Sequence, residues 1–155
     1  MKVLMVCLGN ICRSPLAQAI LEQKAKEHGI ELEVDSAGTA NYHVGEKADI
    51  RSIEKAQEYG IDINHYRGRQ INTSDFDEFD LIFAMDTSNY NNILALTNDR
   101  EKQQRVKLIL NESHPGSNQS VPDPYYGGEE GFENVYQMLD EACDVLIEKI
   151  KVGEA

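Results

Sequence analysis

Positive charge is scarce in this chain. Its 155 residues carry 15 Lys and Arg against 27 Asp and Glu, a formal net charge of −12. A general nucleic-acid binder needs a broad basic face, so that class is excluded. Attachment to an anionic membrane surface is disfavoured on the same ground. Long apolar runs are also missing, and no stretch approaches the roughly 20 residues that span a bilayer. The N-terminus has a single lysine before a short strand-like run, with Asn10 and Arg13 close behind. That is not a signal-peptide pattern, and cytoplasmic residence is the expectation. Cysteine is limited to Cys7, Cys12 and Cys143. An odd number fits a reducing compartment better than a disulfide framework. Together with four scattered histidines, these cysteines offer no workable zinc set, so no metal is expected. Repeats, low-complexity tracts and linkers are absent too. Residues 1–155 therefore read as one domain, long enough to bury a real core.

What the chain does have is concentrated in Cys7-Leu8-Gly9-Asn10-Ile11-Cys12-Arg13-Ser14, followed at once by Pro15. Val3-Leu4-Met5-Val6 leads in as a buried strand. Behind the loop, Leu16, Ala17, Ile20, Leu21 and Ala25 recur at helical spacing. Ser14 suits the N-cap, Pro15 the first helical position and Gly29 the residue that ends the helix. The segment reads as strand, loop, helix, with Cys7 at the strand's end and Arg13 at the helix's mouth. The N–H groups of Leu8 to Ser14 have no helical partner in such a loop and can face an anion. The helix dipole adds positive potential there, and Arg13 adds a planar fork that matches phosphate oxygens. Gly9 is expected to supply the tight bend. Such a cradle favours a thiolate at Cys7, to which the Ser14 hydroxyl can hydrogen-bond. A thiolate facing a tetrahedral phosphate suits displacement at phosphorus. Cys12 reads either as a small buried residue or as the partner of Cys7 in a reversible disulfide. Cys143 lies on the apolar stripe of the last helix and reads as core.

Along the rest of the chain, strand and helix alternate. Residues 31–34 read as a second strand ending at Asp35-Ser36, 49–59 as a helix closed by Gly60, and 61–71 as irregular, with basic residues at Arg67 and Arg69. A short helical turn is expected over 75–79, a third strand over 81–85, a helix over 88–96, a polar turn over 99–104 and a fourth strand over 106–110. Residues 111–128 read as a polar loop long enough to be functional. Phe132, Val135, Leu139, Ala142, Cys143, Leu146 and Ile150 mark the last helix. This alternation predicts an α/β fold with a parallel sheet and helices on both faces. Cys7, Ser36, Asp86 and Asp123 each follow a predicted strand, so they gather at the carboxyl edge of the sheet, where ligands bind in such folds.

The string C-L-G-N-I-C-R-S-P resembles the signature loop of low-molecular-weight protein tyrosine phosphatases, of bacterial type. So do Asp35-Ser36-Ala37-Gly38-Thr39, Met85-Asp86-Thr87-Ser88-Asn89 and Val121-Pro122-Asp123-Pro124-Tyr125-Tyr126, in the family's order and across nearly the whole length. The resemblance implies a four-stranded sheet of order 2-1-3-4 and hydrolysis of protein phosphotyrosine without a cofactor. It implies Cys7 as nucleophile and a phosphate held by the loop from Leu8 to Ser14, including Ile11 and Cys12. Arg13 then binds the phosphate, and Asp123 is the general acid and base, held between two prolines. Asn10, Ser14, Ser36 and Asp86 then support the loop or Arg13, and Tyr42, Tyr125 and Tyr126 wall the cleft. Phosphate and related oxyanions are the implied inhibitors. Arsenate reductases of the same fold need further cysteines near residues 80–90, and Asp80 to Tyr90 contains none. Protein-arginine phosphatases resemble the chain as well but carry threonine at the position of Ile11. A catalytically silent phosphotyrosine-binding module would have lost Cys7 or Asp123, and both are present.

Overall fold

In the structure, a computed structural model, the backbone of residues 1–155 is described together with every side chain except that of Tyr126. Strand β1 (Lys2–Cys7) is its centre. Val3, Leu4, Met5 and Val6 are all fully buried. Strand alternation sends Val3, Met5 and Cys7 into one core and Leu4 and Val6 into another. An apolar run without polar interruption is what a strand covered on both faces requires.

The remaining elements follow in chain order: α1 (Arg13–Glu27), β2 (Glu33–Gly38), α2 (Ile50–Glu58), α3 (Asp75–Glu78), β3 (Leu81–Ala84), α4 (Thr87–Leu94), α5 (Arg100–Gln103), β4 (Val106–Leu108), α6 (Leu110–Ser113) and α7 (Gly128–Lys151). The sheet is parallel in the expected order β2-β1-β3-β4. Apolar residues of α1, α2, α6 and α7 fill the core on one face, and Phe76 of α3 and Ile93 of α4 fill the other. Cys7 pairs in register with Gly38, while Val6 pairs with Ala84 and Ala84 with Leu108, so the carboxyl ends of the strands lie level. The chain leaves β1 for β2 on one side and returns to β3 on the other. The topological switch, and with it the loop after Cys7, falls at β1.

Local boundaries differ from the sequence reading for identifiable reasons. Helix α1 starts two residues early, with Cys12 at the N-cap, so Ser14 is not the cap and its hydroxyl is free for other work. The C-terminus follows expectation: Gly29 is left-handed (φ 66°), and Ile30 N and Gly29 N donate to Ala25 O and Lys26 O, the paired bonds of a Schellman motif. Strand β2 runs on past Asp35 and Ser36 to Gly38 instead of ending at them, because β1 offers partners to its end. The polar turn at 99–104 contains α5, capped by the Asp99 carboxylate at Glu101 N. Strand β4 stops at Leu108, and α6 takes up the start of the expected long loop. Among the described residues no helix is long and apolar enough to cross a membrane.

Candidate active site

The loop after β1 is shaped by what happens to its carbonyls. Thr39 N donates to Cys7 O at 2.9 Å, Ala40 N to Leu8 O at 3.0 Å and Asp49 N to Ile11 O at 2.8 Å. Ser52 Oγ donates to Cys12 O at 3.3 Å. With these oxygens tied outward to the scaffold, the loop's N–H groups are left for the concave side, the arrangement of an anion nest. The end of β2 can come this close only because residue 38 is glycine. A Cβ there would stand 2.7 Å from Leu8 O.

The bend expected of Gly9 belongs to Asn10, which is left-handed at φ 58°, a conformation asparagine tolerates better than most residues. Gly9 contributes by lacking a side chain, since a Cβ would sit 3.1 Å from Cδ2 of His43. Asn10 is buried and fully engaged. Its Oδ1 accepts from Arg69 N at 3.0 Å, its Nδ2 donates to Ser14 Oγ at 2.8 Å, and its backbone N donates to Cys7 Sγ at 3.3 Å. Ser14 Oγ lies 3.0 Å from the same sulfur. Because Asn10 already donates to that oxygen, the hydroxyl proton is free to point at Sγ. Two donors thus converge on Cys7.

Arg13 is 4% exposed. Its Nη1 donates to Asp86 Oδ2 at 2.7 Å and to Val121 O at 3.0 Å. The other Asp86 oxygen caps α4 by accepting from Asn89 N at 2.7 Å. Asp86 therefore fixes both a helix start and the guanidinium. With Nη1 occupied on the scaffold side, Nε and Nη2 have no hydrogen-bond partner among the described residues and can serve a ligand in the cleft that Arg13 lines.

That cleft has a volume of about 320 Å³ and is lined by Cys7, Leu8, Gly9, Ile11, Cys12, Arg13, Tyr42, His43, Asp123 and Tyr125. Asn10 and Ser14 stand behind it. Asp123 is exposed and its Oδ1 accepts from Tyr125 N at 3.0 Å. Tyr42 is the most exposed wall, at 71%. Tyr126, also expected at the wall, lies outside the described side chains. Ser36 is not brought to the loop. Its register partner is Met5, two residues before Cys7, and its Oγ donates to Gln18 Oε1 at 2.7 Å. The loop support expected from Ser36 comes instead from the backbone of Gly38, Thr39 and Ala40. The basic residues at 67 and 69 do not serve the cleft either. Arg69 is held by Asp75 at 3.1 Å and Asp35 at 3.0 Å, and Arg67 donates to the carbonyls of Asn64 and Tyr66.

Burial, helped by the charges of Asp49, Cys7 and Asp123, pushes the Cys12 thiol up to about 12. Burial also pushes Cys143 up to about 12. Both therefore stay protonated at neutral pH, and neither competes with Cys7 as a nucleophile. All three cysteines are free. Sequence reasoning missed His43, which lines the cleft and pairs with Glu46 through Nδ1, and Asp49 and Arg51, which join the loop to the segment bearing Asp123. An Asp placed just before a helical stretch was a capping signal for Asp49. His43 had no local signal.

The sequence profile of the family described as low molecular weight phosphotyrosine protein phosphatase matches residues 2–154. The Schizosaccharomyces pombe protein of that description is 42% identical over 149 residues, covering 94% of this chain and 94% of its own. A crystal structure of protein tyrosine phosphatase from Entamoeba histolytica, with Hepes in the active site, superposes with a TM-score of 0.93 at 39% identity, covering 100% of this chain and 99% of that one. A Drosophila arginine phosphatase structure superposes with a TM-score of 0.89 at 33% identity, covering 97% and 98% of the two chains.

Proposed function

The chain belongs to the low molecular weight phosphotyrosine protein phosphatase family, and on that premise we propose that it hydrolyses phosphotyrosine in protein substrates through a cysteinyl-phosphate intermediate. The observation that carries this reading is one cleft lined by Cys7, Arg13 and Asp123, with hydrogen-bond donors already converging on the sulfur. The phosphate sits on the N–H groups of the loop and on the free edge of the Arg13 guanidinium. Cys7 Sγ attacks phosphorus as the bond to the tyrosyl oxygen breaks, and Asp123 gives its proton to the leaving phenolate. Tyr125 N–H occupies Oδ1, which leaves Oδ2 to carry that proton. In the second step Asp123 takes a proton from water, the water oxygen attacks phosphorus, and Cys7 leaves as thiolate with release of inorganic phosphate. Charge gathers on the phosphoryl oxygens in both steps, and the prearranged amides and Arg13 meet it without reorganisation.

The apolar lining favours an aryl group. Leu8, Ile11, Tyr42 and Tyr125 present hydrocarbon and ring surface to whatever enters, which suits a flat phenyl ring. A guanidinium would find an apolar side chain at Ile11 instead of a hydroxyl. The test is turnover of phosphotyrosyl, phosphoarginyl and phosphoseryl peptides side by side, with acid-quenched protein analysed by mass spectrometry. The expected result is preference for the phosphotyrosyl peptide and a phosphate adduct on Cys7. Faster turnover of phosphoarginine would reassign the substrate, and phosphotyrosine turnover without any adduct on Cys7 would overturn the covalent route.

A further inference from the structure

We propose that Arg51 is a positioning residue that holds Asp123 over the nucleophile, an inference that rests on the assignment of Asp123 as proton donor. The geometry forms a continuous path. Asp49 N donates to Ile11 O of the phosphate loop at 2.8 Å. The Asp49 carboxylate caps α2 at Arg51 N and also takes the Arg51 side chain in two-point fashion, Nε to Oδ1 at 3.0 Å and Nη2 to Oδ2 at 2.9 Å. That grip fixes the guanidinium plane and holds the Asp49 carboxyl below its usual range, chiefly through the Arg51 side-chain hydrogen bond. The remaining nitrogen, Nη1, donates to Tyr125 O at 2.7 Å. Tyr125 N in turn donates to Asp123 Oδ1 at 3.0 Å. The Tyr125 residue is thus held at its carbonyl by Arg51 and at its N–H by the acid itself.

Packing reinforces the hold. The Arg51 guanidinium carbon lies 5.0 Å from the centroid of the Tyr125 ring and 4.8 Å from that of Phe132 on α7, within cation–π range of both. The segment it restrains needs such a restraint, because Pro122, Asp123, Tyr125 and Gly127 are all exposed. Its buried anchors are Val121, whose N donates to Met85 O at 2.8 Å, and Pro124. Arginine is required for geometry more than for charge. Lysine cannot grip a carboxylate at two points in one plane, reach a carbonyl from a third nitrogen and lie between two rings. Removing Arg51 leaves the bond from Asp49 N to the phosphate loop in place, so proton delivery should suffer and phosphate binding should not.

The experiment is steady-state kinetics of Arg51→Ala and Arg51→Lys, alone and combined with Asp123→Asn, on a phosphotyrosyl peptide and on an aryl phosphate whose phenol is strongly acidic. Misplacing a reacting group by about 1 Å reduces rate by up to about 10²-fold. The expected result is therefore a fall in kcat of roughly 10- to 10²-fold on the peptide, a much smaller fall on the activated ester, and unchanged inhibition by inorganic phosphate. In the Asp123→Asn background neither Arg51 variant should lower kcat on the peptide further. Equal losses on both substrates, losses that multiply with Asp123→Asn, a rise in KM alone, or wild-type kinetics would each overturn the proposal. If Arg51→Ala does not fold by circular dichroism, Arg51→Lys carries the same comparison. Wild-type protein that fails to hydrolyse the phosphotyrosyl peptide would instead refute the functional reading. Wild-type and Asp123→Asn proteins that behave as an acid pair, beside indifferent Arg51 variants, would refute this inference alone.

Discussion

Asp86→Asn isolates one charge beneath the candidate phosphate site. In the wild type the two carboxylate oxygens serve two donors, Oδ1 accepting from Asn89 N and Oδ2 from Arg13 Nη1. Asparagine is as good an N-cap as aspartate, but it has one oxygen, so one of those bonds is lost and Arg13 loses its countercharge. A hydrogen bond to a charged group contributes about 1.5–3 kcal/mol, and breaking a fully buried ion pair costs about 3–5 kcal/mol. Arg13 is 4% exposed but the Asp86 side chain is 22% exposed, so water reaches one partner and the loss should be about 2–3 kcal/mol. For a domain of this size that is roughly 4–12 °C in Tm. A bound phosphate supplies the missing anion. Saturating phosphate at about 100 times Kd stabilises the wild type by about 2.7 kcal/mol, and the variant, which binds the anion more tightly, should gain more than the wild type at the same phosphate concentration. Thermal unfolding with and without phosphate measures both effects. An unchanged Tm, or the same phosphate-induced shift in both proteins, would show that Asp86 is not the charge that holds Arg13.

Three further outcomes follow from the site and its surroundings. Asp123→Asn keeps the acceptor for Tyr125 N and should slow phosphotyrosine hydrolysis by about 10²–10⁴-fold, with a smaller loss on an activated aryl ester; rapid-quench measurement of an unaffected phosphorylation step would refute the assignment. Peroxide should oxidise Cys7 to the sulfenic acid, which Cys12 then condenses with to form a disulfide and water. With the Cys12 thiol held at about 12 by burial and neighbouring negative charge, that condensation should accelerate as pH rises above neutral, and a rate independent of pH, followed by mass spectrometry, would count against it. Glu133 has its carboxyl held down to about 2 by hydrogen bonds from Tyr59, Gln137 and Lys55. A depressed carboxyl stabilises the fold above its unfolded value and loses that contribution as pH falls through the folded one. Glu133→Gln should thus be less stable than wild type at pH 7, with the gap closing between about pH 4.5 and pH 2; a gap independent of pH would mean shape matters there and charge does not.

The parts of the fold legible in the sequence were those governed by local pattern. The uninterrupted run Val3 to Val6 announced a strand covered on both faces, and the alternation of strands and helices announced a parallel sheet, whose strand order was implied by the family resemblance. The parts that were not legible depend on partners far away in the chain. Ser14 looked like a cap because serine caps helices, but Asn10 and Cys7 claim its hydroxyl. Gly9 looked like the bend because glycine bends most easily. Asn10 takes the left-handed conformation instead, since Arg69 N and Ser14 Oγ bind its side chain there. Ser36 falls two residues short of the mouth because β2 runs on to Gly38. Arg69, 59 residues from Asn10, and Arg51, 74 residues from Tyr125, have no signature in any short window.

On the proposed function, a protein of net charge −12 that binds a dianion must make its positive potential locally, and the loop after β1 offers a way. Several of its cations are already neutralised: Lys24 by Asp140 and Asp144, Lys55 by Glu58 and Glu133, Arg69 by Asp35 and Asp75, Arg51 by Asp49. Arg13 is paired as well, but through one nitrogen on the scaffold side. The rest of the field comes from amide N–H groups left inward because the loop's carbonyls are bound outward. Amide dipoles act at contact distance, where they outweigh the diffuse field of an acidic surface. The solvent screening that weakens charges about 10 Å apart at 0.1 M salt acts little on donors in direct contact with the ligand. The residues that matter most for such a field are therefore those that hold the backbone in shape. Gly38 admits β2 to within contact of Leu8 O, Asn10 takes the left-handed turn, and Asp49 and Ser52 bind the carbonyls of Ile11 and Cys12. On the proposed function, affinity for phosphate would be written chiefly in the tertiary contacts of one loop, and only Arg13 would write it in a side chain's charge.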